Sequence, residues 1–247
     1  MRKKMLVPYL TGGIRPDWTR YLEEYERSGA DAIEIGLPFS DPILDGPTIQ
    51  EASDLALSRG VSPRSILDDL AGLKITIPLI AMTYYNLVLH KGADRFCQDL
   101  AEAGVSGLIV PDLPLDEAGA LSEAAIKHGV DLTLLASPVT APDRLAEIAS
   151  RSRGFVYAIS VMGTTGERDQ VAGDGIKLAV ELRKLTDQPI LLAFGISRPE
   201  HATAAAEACD GVVIGAALMR KILDGGEPEQ MGAVLSEFRR ALDTVTV

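Results

Sequence analysis

Two acidic residues early in the chain are of a type, and in positions, suited to proton transfer. Glu34 stands between isoleucines in the apolar stretch "AIEIG" (32–36), and Asp45 follows in the proline-containing segment 37–46, just before a helical pattern. Alternate residues of a strand share one side, so Glu34 is predicted to face away from the isoleucines, into the interior of a barrel. Burial there raises the pKa of a carboxyl group toward neutrality, which suits general acid–base catalysis.

Each carboxylate also has an ordinary structural explanation. A buried glutamate can simply complete an interior hydrogen-bond network, and an Asp-Gly pair such as Asp45-Gly46 is common in turns. Asp45, however, follows Glu34 by eleven residues at the same end of the strand. Two carboxylates in different surroundings can divide the roles of proton donor and hydrogen-bond acceptor, so we predict Glu34 and Asp45 as the catalytic pair.

Glycines follow three of the later apolar segments, in "GTTG" (163–166), "AFGIS" (193–197) and "VVIGAALM" (212–219). Gly195 and Gly215 allow the backbone to approach an anion, and "GAALMRKIL" has the pattern of a short helix that begins near Gly215 and Ala216. The alternative is that these glycines merely end strands. Their equivalent positions favour a phosphate site.

The overall charge limits the classes of partner. A formal net charge of −11 and a pI near 4.8 argue against nucleic acid and against anionic membranes. A phosphate group would need local donors, such as backbone N–H groups at a helix N-terminus.

The sequence lacks the residue patterns that other classes of catalysis require. His90, His128 and His201 are not spaced with a second ligand, so no metal site is expected. No Ser/His/Asp pattern appears, and no lysine stands at a strand end where it could form a Schiff base. Cleavage of a C–C bond by this chain would therefore proceed by acid–base chemistry.

Eight short apolar segments alternate with amphipathic helical patterns, which predicts a single (β/α)8 (TIM) barrel domain over residues 1–247. The predicted strands are 5–11, 32–36, 78–83, 107–110, 132–136, 155–160, 189–195 and 211–215. A doubly wound open sheet is the rival, but "LTGGIRPDW" contains no GxGxxG after the first strand. The long segments 37–46 and 161–176 are predicted as loops at the catalytic end, where they would act as lids.

The cellular setting is predicted to be cytoplasmic. Cys97 and Cys209 lie in helical patterns without a CxxC motif, which indicates buried, reduced thiols. The N-terminal apolar run is too short for a secretory signal, and no segment approaches the length of a membrane span.

Seven segments together resemble the α subunit of tryptophan synthase across nearly the whole chain. They are "VPYLTGG", "AIEIGLPFSDPILDGPTIQ", "MTYYNLV", "GLIVPDLP", "FVYAISVMGTTGERD", "AFGIS" and "GVVIGAALMRKI". The resemblance implies the retro-aldol cleavage of indole-3-glycerol phosphate to indole and glyceraldehyde 3-phosphate. In that reaction Glu34 would be the general acid and base, and ionised Asp45 would accept the hydrogen bond of the indole N–H group.

The resemblance also implies roles for residues outside the catalytic pair. Tyr157 would support the substrate, and Thr165 would close toward Asp45 from the second loop. The residues implied for binding are Tyr9, Met82 and Ile109 around indole, and Gly166, Gly195, Gly215 and Ala216 at the phosphate.

The family enzyme works as an α2β2 complex, in which pyridoxal phosphate belongs to the β subunit, so the resemblance implies no cofactor in this chain. Asp41 and Pro42 would lie on the docking surface. Two departures stand out: the first predicted strand begins almost at the start of the given sequence, where the family often has a helix before it, and Ala216 replaces a common serine.

Three alternatives remain open on the sequence. A stand-alone indole-3-glycerol-phosphate lyase would share every site residue, a sugar-phosphate isomerase would use paired carboxylates, and a non-catalytic phosphate-binding barrel would use neither carboxylate.

Overall fold

The protein forms a parallel β-barrel surrounded by helices. The computed structural model describes residues 3–159, 168–193 and 195–245, with the backbone alone for 168–172. The strands of the described residues are β1 (Met5–Thr11), β2 (Ile33–Gly36), β3 (Leu79–Met82), β4 (Gly107–Ile109), β5 (Asp131–Thr133), β6 (Leu135–Ala136), β7 (Val156–Ile159), β8 (Ile190–Ala193) and β9 (Gly211–Ile214).

Helices follow the strands and cover the outside of the sheet. Those in the described part of the chain are α1 (Thr19–Arg27), α2 (Pro47–Ser58), α3 (Pro63–Leu70), α4 (Tyr85–Lys91), α5 (Ala93–Glu102), α6 (Gly119–His128), α7 (Pro142–Arg151), α8 (Arg168–Arg183), α9 (Pro199–Ala206), α10 (Ala216–Leu223) and α11 (Pro228–Asp243), with a 3-10 turn at Leu115–Glu117. Ser62 caps α3 by accepting the Ser65 N–H, which satisfies a donor that the first helical turn leaves free.

The sheet closes through its fifth predicted strand, which is split at Leu134. The first half, β5, pairs with β4, and the second half, β6, pairs with β7. At the split, the Leu134 N–H donates to Ser152 Oγ at 3.0 Å, while the Leu134 carbonyl accepts the Tyr157 N–H at 3.1 Å. The remaining neighbours pair in the order β4-β3-β2-β1-β9-β8-β7, all parallel, so the (β/α)8 prediction is confirmed.

Two apolar clusters separate the inside of the barrel from its outside. The interior cluster includes Val7, Ile80, Ile109, Leu191 and Val213. The larger cluster lies between the sheet and the helices and includes Ile33 and Ile35. In β3, β8 and β9 this division places alternate residues in different layers, as the period of two requires.

One predicted loop is shorter than expected. Residues 161–176 were predicted as a single loop, but α8 already begins at Arg168, so the prediction is wrong for 168–176. Gly173 and Gly175 suggested a loop because glycine weakens a helix interior by roughly 1 kcal/mol. Burial of Leu178, Ala179 and Leu182 on the barrel offsets that cost. The segment 37–46 is irregular, as predicted.

The lower end of the barrel is held by a partly buried ion pair. Arg239 of α11 donates to the Lys4 carbonyl and to Asp31, both at 2.9 Å, and Asp31 also accepts the Leu6 N–H. The Lys4 ammonium group donates to the Cys209 carbonyl at 2.7 Å. The entry of β1 is therefore fastened by side chains from α11 and from the loop before β2.

Candidate active site

Glu34 points into the barrel, in agreement with the strand periodicity. It pairs in register with Tyr9 of β1 and Ile80 of β3, and its side chain is 1% exposed. Tyr157 of β7 reaches it across the barrel as a hydrogen-bond partner, while Oε2 has none among the described residues. Burial raises the pKa of Glu34 to about 8, opposed by the Tyr157 hydroxyl and assisted by Asp45. The carboxyl group is therefore mostly protonated at pH 7.

Asp45 lies at the mouth of the same pocket, half-buried, in the loop that joins β2 to α2. Its backbone N–H donates to the Pro42 carbonyl at 3.0 Å, and its own carbonyl accepts the Gln50 side chain at 2.8 Å. Burial raises the pKa of Asp45 to about 6, and a hydrogen bond from the Tyr84 hydroxyl opposes the rise. Near neutral pH, Asp45 is therefore mostly ionised, whereas Glu34 is mostly protonated.

The pocket between these carboxyl groups has mainly apolar walls. It contains about 470 Å³ of space free of protein atoms, its open mouth included. The lining residues are Tyr9, Glu34, Asp45, Ile49, Met82, Tyr157, Ala193, Gly195, Ile196, Val213 and Gly215. Such a pocket suits a flat, largely apolar ligand with a few polar atoms.

Most of the predicted binding residues that the structure describes meet at this pocket. Tyr9, Met82 and Tyr157 line it together with Gly195 and Gly215. Ile109 and Ala216 are not among the lining residues. Ile109 points into the barrel but is fully buried in the interior cluster, and Ala216 follows the lining residue Gly215. Ile109 of β4 pairs in register with Met82 of β3, and it is the Met82 side chain that lines the pocket. Thr165 and Gly166 lie outside the described residues.

One end of the pocket presents backbone to the ligand. Gly215 is the N-cap of α10, and exposed Ala216 is the first residue of that helix, in agreement with the sequence pattern. Gly195 has a positive φ of 78°, and its carbonyl contacts His201 Nδ1 at 3.2 Å. The free N–H groups of the first turn of α10 give this end the character of an anion site.

The predicted docking residues lie in the exposed part of the loop 37–46. The Ser40 hydroxyl donates to Asp41 at 2.6 Å, and Pro42 is half-buried beside it. The next two residues are apolar but exposed, with Ile43 at 80% and Leu44 at 50%. The loop thus presents apolar surface close to Asp45.

The sequence prediction missed five residues at this site. Tyr84 was noted only as part of "MTYYNLV", although its position just beyond β3 was a usable signal, because strand ends carry the functional groups of this fold. The other four line the pocket: Ile49, Ala193, Ile196 and Val213. Ile49 sits on a helix and Ile196 in a loop, where no strand period could indicate their direction.

No group of three or more His, Cys, Asp or Glu side chains that could hold a metal ion occurs among the described residues. Within the described part of the chain, no helix is long and apolar enough to cross a membrane.

The arrangement can move a proton. A mostly protonated carboxyl group and a mostly ionised one face a common pocket, so the first can donate a proton while the second accepts a hydrogen bond or stabilises positive charge. The end of the pocket at Gly195 and Gly215 can bind an anionic group of the same ligand.

Curated relatives match along almost the full chain. A Cyanothece sp. protein described as tryptophan synthase alpha chain is 42% identical over 244 residues, which cover 97% of this chain and 91% of the relative. The corresponding protein of Gloeobacter violaceus is 43% identical over 247 residues, covering 98% and 89%.

Solved structures share the fold. A chain of Mycobacterium tuberculosis tryptophan synthase superposes with a TM-score of 0.88 at 37% identity, covering 97% of this chain and 93% of that one. Tryptophan synthase subunit alpha from Legionella pneumophila gives 0.86 at 33% identity, covering 98% and 94%. The sequence model of the family described as tryptophan synthase alpha chain matches residues 1–246, and the chain belongs to that family.

Proposed function

We propose that this chain cleaves indole-3-glycerol phosphate to indole and glyceraldehyde 3-phosphate, as the α subunit of tryptophan synthase. The observation that carries the proposal is the pairing of a buried, mostly protonated Glu34 with a mostly ionised Asp45 around one pocket. Membership of the tryptophan synthase alpha chain family supplies the reaction class.

The pocket walls suit the proposed substrate orientation. The indole ring would lie between Tyr9 and Met82, with its N–H toward Asp45 and its C3 atom toward Glu34. The phosphate would lie at the glycine end, on backbone N–H groups of Gly195, Gly215 and Ala216. Gly166 would add a further N–H group there, and Thr165 would close toward Asp45.

The first chemical step uses Glu34 as an acid. Its carboxyl group donates a proton to indole C3, which places positive charge on the ring and leaves a buried carboxylate. Asp45 stabilises this charge by accepting the hydrogen bond of the ring N–H. The Tyr157 hydroxyl stabilises the new Glu34 carboxylate by the hydrogen bond it already makes.

The second step returns the proton to Glu34. The carboxylate removes the proton from the glycerol hydroxyl adjacent to C3, the C–O bond becomes an aldehyde carbonyl, and the bond to C3 breaks. The bonding electrons return to the ring and restore its aromaticity. One proton has left Glu34 and one has come back, so the catalyst is regenerated.

Local donors explain how an acidic protein would bind a phosphate ester. The net charge of −11 repels the ligand at long range, whereas helix N-terminal N–H groups attract it at contact distance. Ala216 supplies a backbone N–H without the hydroxyl that serine would add.

As an α subunit, the chain would pair with a tryptophan synthase β subunit in an α2β2 complex, in the cytoplasm. The pyridoxal phosphate of the complex would belong to the β subunit. The segment Asp41–Leu44, in which Pro42 is half-buried, is the expected docking surface, because it offers exposed apolar area next to Asp45.

The test is to mix the purified chain with indole-3-glycerol phosphate, with and without a β subunit, and to measure indole. We expect slow release by the chain alone and a large increase with the partner. Glu34→Gln should abolish turnover while it retains substrate binding. Fast release without any partner would indicate a stand-alone lyase, and absence of indole in both mixtures would refute the proposal.

A further inference from the structure

We propose that Tyr84 is a positioning residue, which holds the Asp45 carboxylate against the pocket for the reaction proposed above. This inference rests on that proposed function. Tyr84 lies two residues after the end of β3, as the N-cap of α4, and is 5% exposed.

The Tyr84 hydroxyl joins two consecutive residues of the catalytic loop. It accepts the Leu44 backbone N–H at 3.0 Å, and it lines the same small cleft as Asp45. Because the hydroxyl oxygen already receives the N–H proton, its own proton is available to the Asp45 carboxylate, whose pKa rise it opposes. The two contacts therefore hold both the loop backbone and the carboxylate.

The Tyr84 ring is itself held firmly. It stacks on Phe39, with ring centroids 5.2 Å apart and planes at 25°. The next residue, Tyr85, donates its backbone N–H to Asp112 at 2.8 Å, which anchors the start of α4. Tyr84 thus contacts the loop 37–46 near both of its ends, at Phe39 and at Leu44–Asp45.

Electrostatics give the hydroxyl a specific task. The titratable groups around Asp45 are Glu34 of β2, Tyr9 of β1 and Tyr157 of β7, and the charge of Asp45 raises the pKa of each; Asp112 raises the pKa of Tyr84. No Lys, Arg or His is among the described residues that line the pocket. A neutral donor is therefore what opposes the burial of this carboxylate, and its loss should raise the pKa of Asp45 further.

The test is Tyr84→Phe in the complex with a β subunit, assayed for indole release over a range of pH. The variant keeps the ring stacking and removes only the hydroxyl. We expect kcat to fall about tenfold with a smaller change in KM, since a charge-assisted hydrogen bond is lost. The acidic limb of the kcat/KM profile should also move to higher pH.

A double-mutant cycle separates positioning from general structural support. In an Asp45→Asn background, Tyr84→Phe should cause little additional loss, because the group on which it acts is gone. The matched control is Tyr85→Phe, on the adjacent tyrosine, which should leave kcat and the profile unchanged.

The inference is overturned if Tyr84→Phe lowers activity equally in both backgrounds, or if the acidic limb stays in place. The position of that limb does not depend on how much of the variant is folded, so partial unfolding leaves the test valid. Wild-type cleavage of indole-3-glycerol phosphate is measured first. If the wild type is active and Tyr84→Phe matches it, only the role of Tyr84 fails.

Discussion

Gly36 leaves the space that the Tyr9 hydroxyl occupies: a Cβ atom at residue 36 would lie 1.9 Å from the Tyr9 hydroxyl oxygen. The two residues sit on neighbouring strands at the top of the barrel, and Tyr9 forms one wall of the pocket. The hydroxyl contacts Thr11 Oγ1 at 3.3 Å, and burial raises the pKa of Tyr9 above its usual value. A missing side chain on one strand thus sets the position of an aromatic wall on the other.

Gly36→Ala is expected to displace Tyr9 and to impair both activity and stability. The added methyl group overlaps the hydroxyl end of the buried Tyr9 ring, so the ring must shift from its position, and overpacking of this kind costs roughly 1–3 kcal/mol. Urea unfolding measures the loss, and indole release should show a raised KM. Gly119→Ala is the control, because a Cβ atom there meets nothing within 4 Å. Equal stability of the two variants would contradict the prediction.

Glu34→Gln is expected to stabilise the protein at high pH. The pKa of Glu34 is raised from 4.5 to about 8 in the folded state. The folded protein therefore binds more protons than the unfolded chain between these values, and stability falls as pH rises through them. The unfolding free energy lost by pH values above 8 is on the order of 5 kcal/mol.

Urea unfolding of both proteins at pH 5 and pH 9 checks this prediction. The variant carries no titrating group at residue 34, so the difference in unfolding free energy should grow in its favour from pH 5 to pH 9. The same pH dependence in both proteins would show that Glu34 ionises normally.

The pH dependence of kcat/KM for indole release is expected to be bell-shaped. Asp45 must be ionised, and its pKa of about 6 makes activity fall as pH drops through that value. Glu34 must be protonated, and its pKa of about 8 makes activity fall as pH rises through that value. Initial rates at low substrate concentration give both limbs. Activity that increases steadily beyond pH 9 would exclude Glu34 as the acid.

Ala216→Asp is expected to weaken phosphate binding without damage to the fold. Ala216 is exposed in the first turn of α10, where a negative side chain is favourable for the helix itself. The same charge repels a phosphate group at the helix N-terminus, so KM should rise by at least about tenfold.

Ala216→Asn is the matched control, since it has nearly the same shape without the charge. Thermal unfolding confirms that both variants are folded. A KM for Ala216→Asp equal to that of Ala216→Asn would place the phosphate elsewhere.

The amino-acid sequence alone determined the class of fold and the direction of the key side chain. Continuous apolar strands that alternate with amphipathic helices require burial on both faces of a parallel sheet. Within "AIEIG", the period of two directs Glu34 to the side opposite Ile33 and Ile35, and the structure agrees. The start of α10 at Ala216 also followed from local pattern, because short-range geometry decides it.

Only the tertiary structure decided relationships between distant parts of the chain. The fifth predicted strand is split at Leu134 because its first half pairs with β4 and its second half pairs with β7. The contact between Tyr84 and Asp45 joins residues that are far apart in sequence. Whether Ile109 reaches the pocket or lies below it depends on the register between β3 and β4. The pKa of Glu34 depends on the whole surrounding barrel, because desolvation is a property of packed neighbours and not of a local sequence.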